Sequence, residues 1–310
     1  MARCFVTREL PGPALDRLRE RHDVEVWPER LPPPYEKLRR QTADADGLLS
    51  LLTDRIDAAL IEGSPRLKAI ANYAVGYDNI DLAAAAARDI PVGNTPDVLT
   101  DATADLTFAL LLAAARKLPD ALLATQTDDW LTWEPAAHLG HDVYGATLGI
   151  IGMGRIGRAV ARRAEGFAMT VLHTGAAGGV PLLELLKRSD FVSIHCPLTP
   201  DTHHLIDGAA LAMMRPSAIL INTARGPIVD QAALLDALRD GAIAGAALDV
   251  TDPEPPPAGD PVLSAPHLIL VPHIGSATRT ARERMATLAV ENLLAALDGA
   301  PMPHPVHTAG

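Results

Sequence analysis

The sequence predicts an α/β protein built from two doubly wound parallel-sheet domains, and three observations carry that prediction. Short apolar runs alternate with helical stretches almost throughout, the pattern of parallel strands covered by helices on both faces. The chain has 310 residues, too many for one small core and suited to two domains of ordinary size. A long apolar helical stretch over 100–124 divides a first α/β run from a second.

In the first run, strands are predicted at RCFVT (3–7), DVEVW (23–27), GLLSLL (47–52) and LKAIANY (67–73). In the second they fall at TLGIIG (147–152), TVLHT (170–174), FVSIHC (191–196), AILINTA (218–224), AGAALDV (244–250) and LILVPHI (268–274). Most are short aliphatic runs bounded by turn-forming residues. Helical stretches lie between them, for example 155–165 and 231–239, punctuated by Gly or Pro. The last helix, 280–297, follows the final strand and is expected to cross back to the first domain. One domain is therefore expected from residues 1–95 and 280–310, and a second, inserted one from 96–279. Ligands usually bind in the cleft between two such domains. The segment TQTDDWLTWEPAAHLG (125–140) places Trp130 and Trp133 in a polar setting. Either each tryptophan caps its own core, or the segment is an arm reaching into a partner subunit.

Composition narrows the function. Hydrophobic residues make up 48% and charged residues 21%, a globular balance. A formal charge of −11 argues against a nucleic-acid surface, which needs clustered cations. The basic pairs Arg39-Arg40 and Arg162-Arg163 read as solvated helix faces. The longest apolar run, 108–115, is too short to span a membrane, and MARCFVTREL lacks the apolar core of a signal peptide. Two cysteines, Cys4 and Cys196, make no disulfide framework, so a reducing cytoplasm is expected.

Residues 148–158 read LGIIGMGRIGR. Gly152, Gly154 and Gly157 form G-x-G-x-x-G directly after a buried strand and at the start of a helix. That frame gives a tight turn, bare backbone for a pyrophosphate and close helix–strand packing, the dinucleotide fingerprint of a Rossmann-like sheet. The second strand of this unit ends at Thr174, about 20 residues further on, where NAD-preferring proteins place a carboxylate on the ribose. Here the chain continues Gly175-Ala176-Ala177-Gly178-Gly179, with no Asp or Glu. Loss of the carboxylate admits a 2′-phosphate, and the free N–H groups of this loop are candidates for an anion-binding nest. NADP(H) is therefore favoured, with NAD(H) as the alternative.

Three later strand ends carry polar groups, where open α/β sheets put their chemistry. They are ILINTARGPIVD (219–230), ALDVTDPEP (247–255) and LVPHIGSAT (270–278). Arg225 is suited to a substrate carboxylate because its fork donates two parallel hydrogen bonds. His273 is a candidate proton donor, and Glu254 holding it would favour its protonated form; on spacing alone, Glu254 and Asp252 in their proline-rich loop also read as solvated surface. His203, His204 and His267 have no partners at metal-ligand spacing, and no metal site is expected. A carboxylate binder, a proton donor and a hydride cofactor together describe a 2-oxo acid reductase.

These segments, with NYAVGYDNIDL (72–82) and TPDVLTDATADLTFALLLAAARKL (95–118), resemble the D-isomer-specific 2-hydroxyacid dehydrogenase family over nearly the whole chain. Within it the sequence is most similar to the glyoxylate/hydroxypyruvate reductases. The resemblance implies an enzyme that reduces a small 2-oxo acid to the D-2-hydroxy acid, with Arg225, Glu254 and His273 as its catalytic residues. It implies that the N–H groups of Val75 and Gly76 hold the substrate carboxylate, and that Leu51, Ser276 and Trp133 lie near the substrate. Cofactor contacts are implied at Thr103, Gly152, Met153, Gly154, Arg155, Ile156, Gly157, Thr174, Cys196, Pro197, Thr202, Thr223, Ala224, Arg225, Asp249, His273 and Gly275. A homodimer is implied as well, through an arm at about 120–145 that carries Trp133 into the partner. Two departures stand out. Asp105 replaces the usual Glu, and the loop after Thr174 is short, with Ala176 where NADPH-preferring members carry an Arg. Alternatives on the same scaffold are a phosphite or other 2-hydroxyacid dehydrogenase, and a dinucleotide-sensing, corepressor-like binding protein.

Overall fold

The computed structural model describes residues 1–127 and 129–306. Position 128 of the expected arm and 307–310 of the expected first domain lie outside the described residues. The chain divides into two compact units, one of residues 1–99 with 277 onward and one of residues 100–276.

The first unit carries β1 (Arg3–Val6), β2 (Asp23–Val26), β3 (Gly47–Ser50), β4 (Ala69–Asn72) and β5 (Val92–Gly93). All pair in parallel in the order β2-β1-β3-β4-β5. Every residue of β3 and β4 is buried, which is why these strands read as continuous apolar runs rather than alternating ones. One face packs on a cluster that includes Phe5, Leu48, Ile56, Ile61 and Ile70.

β5 has no sequence signal, being two residues after a proline. Tertiary pairing makes it: Ile70 N–H donates to Pro91 O, and Gly93 pairs antiparallel with Pro305. A Cβ at Gly93 would stand 2.7 Å from the side chain of Asn292, so only glycine fits. The helix Arg279–Leu297 belongs to this unit. Thr278 caps it by accepting from Ala281 N–H at 3.1 Å. From its last turns the fully buried Asn292 donates to Asn94 O at 2.9 Å and accepts from His304 N–H at 2.8 Å. A single amide thus ties the last helix, the strand β5 and the final segment together.

The second unit carries β6 (Thr147–Ile151), β7 (Thr170–Thr174), β8 (Phe191–Ile194), β9 (Ile219–Asn222), β10 (Gly245–Leu248) and β11 (Leu268–Leu270). All are parallel, in the order β11-β10-β9-β8-β6-β7. Successive residues face opposite cores, as a period of two requires. Ile150 and Ile219 join Leu111 and Val160 on one face, while Ile151 and Leu220 join Leu185 and Leu234 on the other. Both units are therefore doubly wound parallel sheets, and the helices at 155–165 and 231–239 lie where the sequence put them.

The expected single helix over 100–124 is instead two, Thr100–Ala115 and Leu118–Gln126. Lys117 adopts the left-handed conformation at φ +50°, and Pro119 has no N–H to give to a continuous ladder. His141 N–H takes the freed carbonyl of Ala115 at 2.8 Å. The second helix exposes Leu118, Leu122 and Leu123, and beyond it Trp130 and Trp133 are 72% and 81% exposed. Neither tryptophan caps a core of its own chain. Among the described residues, no helix is long and apolar enough to cross a membrane.

Asn292→Ala would leave the Asn94 carbonyl and the His304 N–H, both on partly buried residues, without their partner, at about 1–2 kcal/mol each. Urea unfolding should therefore show a loss of roughly 2–4 kcal/mol, and an unchanged midpoint would contradict the clasp.

Candidate active site

The order of the second sheet reverses between β6 and β8, and ligands of open α/β sheets bind at the carboxyl ends of strands at such a switch point. β6 is followed by Gly152, at φ +97°, where a Cβ would stand 2.5 Å from Cys196 N, two residues beyond β8. A Cβ at Gly157 would stand 2.2 Å from Gly152 O, so the helix Arg155–Glu165 lies directly against the turn. Gly154, the residue before that helix, is different: nothing lies within 4 Å of where its Cβ would be. Two glycines admit close protein packing and the third leaves bare backbone facing open space at a helix N-terminus. That is the shape and polarity a pyrophosphate requires. Met153, Arg155 and Ile156 are the residues around this turn.

Thr174, at the end of β7, accepts from Gly152 N–H at 2.9 Å. The loop after it closes tightly, with Gly178 N–H donating to Gly175 O and Val180 N–H to His173 O, both at 2.9 Å. A Cβ at Gly179 would fall 1.9 Å from His173 O, so the loop is folded back on the strand that precedes it. The N–H of Gly178 is engaged within the loop, which removes it from the nest the sequence suggested.

On the β8 side, Ser193 Oγ and His195 Nε2 lie 2.8 Å apart. Burial lowers the pKa of His195 to about 3, and it raises the Cys196 thiol to about 11. Both are thus neutral near pH 7. Thr202 closes the next loop by donating its hydroxyl to Pro197 O at 2.7 Å.

Arg225 follows β9. The buried Asn222 accepts from Ala224 N–H at 3.0 Å and donates to Arg225 O at 2.8 Å, so one amide holds both sides of the turn Thr223–Ala224–Arg225. Arg225 Nη1 also donates to Ala224 O at 2.8 Å. A Cβ at Gly226 would stand 1.9 Å from Thr251 O. The arginine turn therefore packs directly on the segment that leads from β10 to Glu254.

His273 depends on Asp249. That buried carboxylate accepts from Ile274 N–H at 2.6 Å and Gly275 N–H at 2.8 Å, while the Asp249 carbonyl accepts His273 N–H at 2.9 Å. Burial raises the Asp249 pKa, and the N–H donors and the nearby His273 offset this only in part. His273 sits in the left-handed region at φ +52°, and its Nδ1 lies 2.5 Å from Glu254 Oε1. Glu254, rather than Asp252, is the carboxylate that reaches the imidazole. With Nδ1 engaged, Nε2 is the nitrogen left for a substrate. Thr103 donates to Gly275 O at 3.2 Å, and Thr107 lies 3.1 Å from the hydroxyl of Thr223. Ser276 follows, half-buried.

In the first unit, Val75 and Gly76 form a turn after β4. Asn94 Nδ2 donates to Val75 O at 2.8 Å and Asn72 Nδ2 to Gly76 O at 2.9 Å. The N–H groups of both residues have no acceptor among the described residues. Leu51 is half-buried, its N–H held by Asp54 Oδ2 at 2.7 Å.

Sequence reasoning overlooked Asn72, Asn94, Asn222 and Thr107. A signal existed for two of them: AIAN and ILIN each end an apolar run on an amide, a polar group at the strand end where a parallel sheet keeps its ligands.

Comparison with known proteins agrees with this geometry. Residues 108–275 match the family model described as "D-isomer specific 2-hydroxyacid dehydrogenase, NAD binding domain". A glyoxylate reductase of Thermococcus gammatolerans is 49% identical over 310 residues, covering 95% of this chain and 92% of the relative. The chain belongs to the D-isomer-specific 2-hydroxyacid dehydrogenase family. Among solved structures, a Thermus thermophilus protein matches with a TM-score of 0.93 at 51% identity, covering 98% of this chain and all of that one. An NADPH-dependent glyoxylate/hydroxypyruvate reductase of Sinorhizobium meliloti, in complex with NADP and malonate, matches at 0.86 and 33% identity, covering 98% and 96%. As a member of this family the protein is an oxidoreductase that uses a nicotinamide dinucleotide.

The lowered pKa of His195 makes a pH-dependent contribution to stability. An unfolded chain takes up a proton near pH 6.5 and the folded one only near 3, so this stability is complete above about pH 6.5 and is lost as pH falls toward 3. Wild-type unfolding free energy should drop by up to about 1.4 kcal/mol per pH unit more than that of His195→Gln between pH 6 and 4.5. Parallel curves would contradict it.

Proposed function

We propose that the protein reduces a small 2-oxo acid, glyoxylate or hydroxypyruvate, to the 2-hydroxy acid, with His273 as proton donor. The observation that carries this reading is the 2.5 Å contact between His273 Nδ1 and Glu254 Oε1 beside the arginine turn. It presents a braced imidazole whose second nitrogen is available. Arg225 and the N–H groups of Val75 and Gly76 bind the substrate carboxylate, with the guanidinium also polarising the 2-oxo group. A nicotinamide dinucleotide would be held at Gly152 to Gly157 with Thr103, Thr174, Cys196, Pro197, Thr202, Thr223, Ala224, Asp249 and Gly275 around it, and when bound it would supply the hydride that C2 receives. As negative charge develops on the carbonyl oxygen, His273 Nε2–H protonates it, and Glu254 stabilises the imidazolium before transfer. Reduction of hydroxypyruvate gives the D isomer, and glyoxylate gives an achiral product. The bulky Leu51 and Trp133 restrict the site to small acids, and Ser276 lies near the cofactor or substrate.

NADP(H) is the favoured cofactor and NAD(H) the competing one, because no carboxylate follows Thr174 to repel a 2′-phosphate. A homodimer is supported by the exposed apolar set Leu118, Leu122, Leu123, Trp130, Leu131 and Trp133. Two free thiols, Cys4 and Cys196, fit a cytoplasmic setting.

The test is the absorbance of reduced nicotinamide, with NADPH or NADH and a panel of glyoxylate, hydroxypyruvate and pyruvate. Turnover is expected, faster with NADPH, and consumption with none of these acids would overturn the reading. His273→Ala should lower kcat by about 10²–10⁴-fold, with a smaller change in KM. Sedimentation of the wild type should give twice the chain mass, whereas a monomer at micromolar concentration would rule out the dimer.

A further inference from the structure

We infer that the paired amides of Asn72 and Asn79 act as specificity-setting positioning residues: they join the Val75–Gly76 turn to the Leu51 loop and so fix the distance from the carboxylate-binding amides to the apolar wall. This rests on the substrate reading above. It names the groups that determine how large an acid fits.

The two substrate-facing segments of the first unit come from different strands, Leu51 after β3 and Val75–Gly76 after β4. Backbone pairing between these strands runs out at Ser50 and Asn72, which are register partners, with one more bond from Tyr73 N–H to Ser50 O. Between that point and Ile56, whose N–H donates to Asn79 O at 2.9 Å and whose carbonyl accepts from Asp81 N–H at 2.8 Å, the turn and the Leu51 loop are joined by side chains. Asn72 Nδ2 donates both to Gly76 O at 2.9 Å and to Asn79 Oδ1 at 3.0 Å. Asn79 Nδ2 in turn donates to Leu51 O and to Asp54 O, each at 3.1 Å.

The chain of bonds thus runs from the Gly76 carbonyl through two amides to the Leu51 carbonyl. Each end is braced separately. Ser50 Oγ lies 3.1 Å from Asn72 Oδ1, fixing that side chain at its strand. Asp54 Oδ2 accepts from Leu51 N–H at 2.7 Å and from the Thr7 hydroxyl at 2.5 Å, which ties the loop to the end of β1.

Both amides are used on their donor and acceptor sides, and Asn72 is fully buried. Neither has a polar group turned toward a substrate in this network, so they act through the turn and the loop. An amide is the group this job needs. It donates to carbonyls on one side and accepts from its neighbour on the other, which a carboxylate, with acceptors alone, does not do. Loss of Asn79 leaves the Asn72–Gly76 bond in place and releases only the Leu51 side, so the clamp survives while the wall shifts.

The experiment compares kcat/KM for glyoxylate and for the longer 2-oxobutyrate in the wild type, Asn79→Ala and Asn79→Asp. Asn79→Asp keeps the shape and the acceptor for Asn72 but removes both donors, so it serves even where the alanine variant fails to fold. In both variants the ratio of the two values should move toward the longer acid by roughly tenfold, the size of one or two lost hydrogen bonds. Affinity for NADPH should stay within about twofold, since that site belongs to the other unit. A merely structural role would lower the melting temperature and leave the ratio unchanged, and that result would overturn the inference. A wild type that reduces neither acid would overturn the functional reading and this inference together, whereas an active wild type with an unaltered ratio in the variants overturns the inference alone.

Discussion

The buried carboxylate of Asp249 is the constraint on which the chemistry of the second unit depends. It sits at the end of β10, where the sheet stops supplying partners, and its two oxygens take the N–H groups of Ile274 and Gly275. That forces the chain after β11 to turn sharply, with His273 in a left-handed conformation that costs a non-glycine residue roughly 1 kcal/mol. The return is direction: the imidazole is aimed so that Nδ1 meets Glu254. Without the carboxylate, the buried Gly275 N–H and the Ile274 N–H would lose their acceptor and the histidine would have no reason to occupy that conformation.

A related device recurs at three other strand ends. Asn222 at the end of β9 and Asn72 at the end of β4 each turn an amide back on the turn that follows, and Asn94 after β5 donates across to Val75 O in the turn after β4. A parallel sheet finishes with unpaired backbone groups, and short polar side chains satisfy them at fixed distance and angle. Arg225, His273 and the Val75–Gly76 turn are carried by segments held in this way. The reactive side chains lie on loops, yet each loop is wired to a buried strand end, which limits how far the site wanders.

Glycine does the complementary work. At Gly152, Gly157 and Gly226 a Cβ would collide with backbone at 2.5 Å or less, so the missing side chain permits contact between segments. At Gly154 the space beyond the backbone is open, so the missing side chain leaves room for something else. The fingerprint spacing in the sequence does not separate these two uses; the packing does.

Ten of the eleven strands were legible, most of them because strands buried on both faces are apolar along their length, and the Gly-x-Gly-x-x-Gly turn was legible because close backbone approach at Gly152 and Gly157 admits no other residue. Arg225, Glu254 and His273 stood out as charged or titratable groups just past apolar runs. The rest was decided only by the fold. β5 exists because β4 and the final segment pair with it, and the break at Lys117 interrupts a run whose composition favours one helix. Whether Glu254 reaches the histidine or stays a solvated surface group was likewise open, since loop geometry rather than spacing sets where the carboxylate arrives. Local patterns report what a residue's own backbone and burial demand. They carry no distance between segments far apart in sequence, so the hydrogen bonds of Asn72, Asn79, Asn222 and Asp249 became visible only once those segments were brought together.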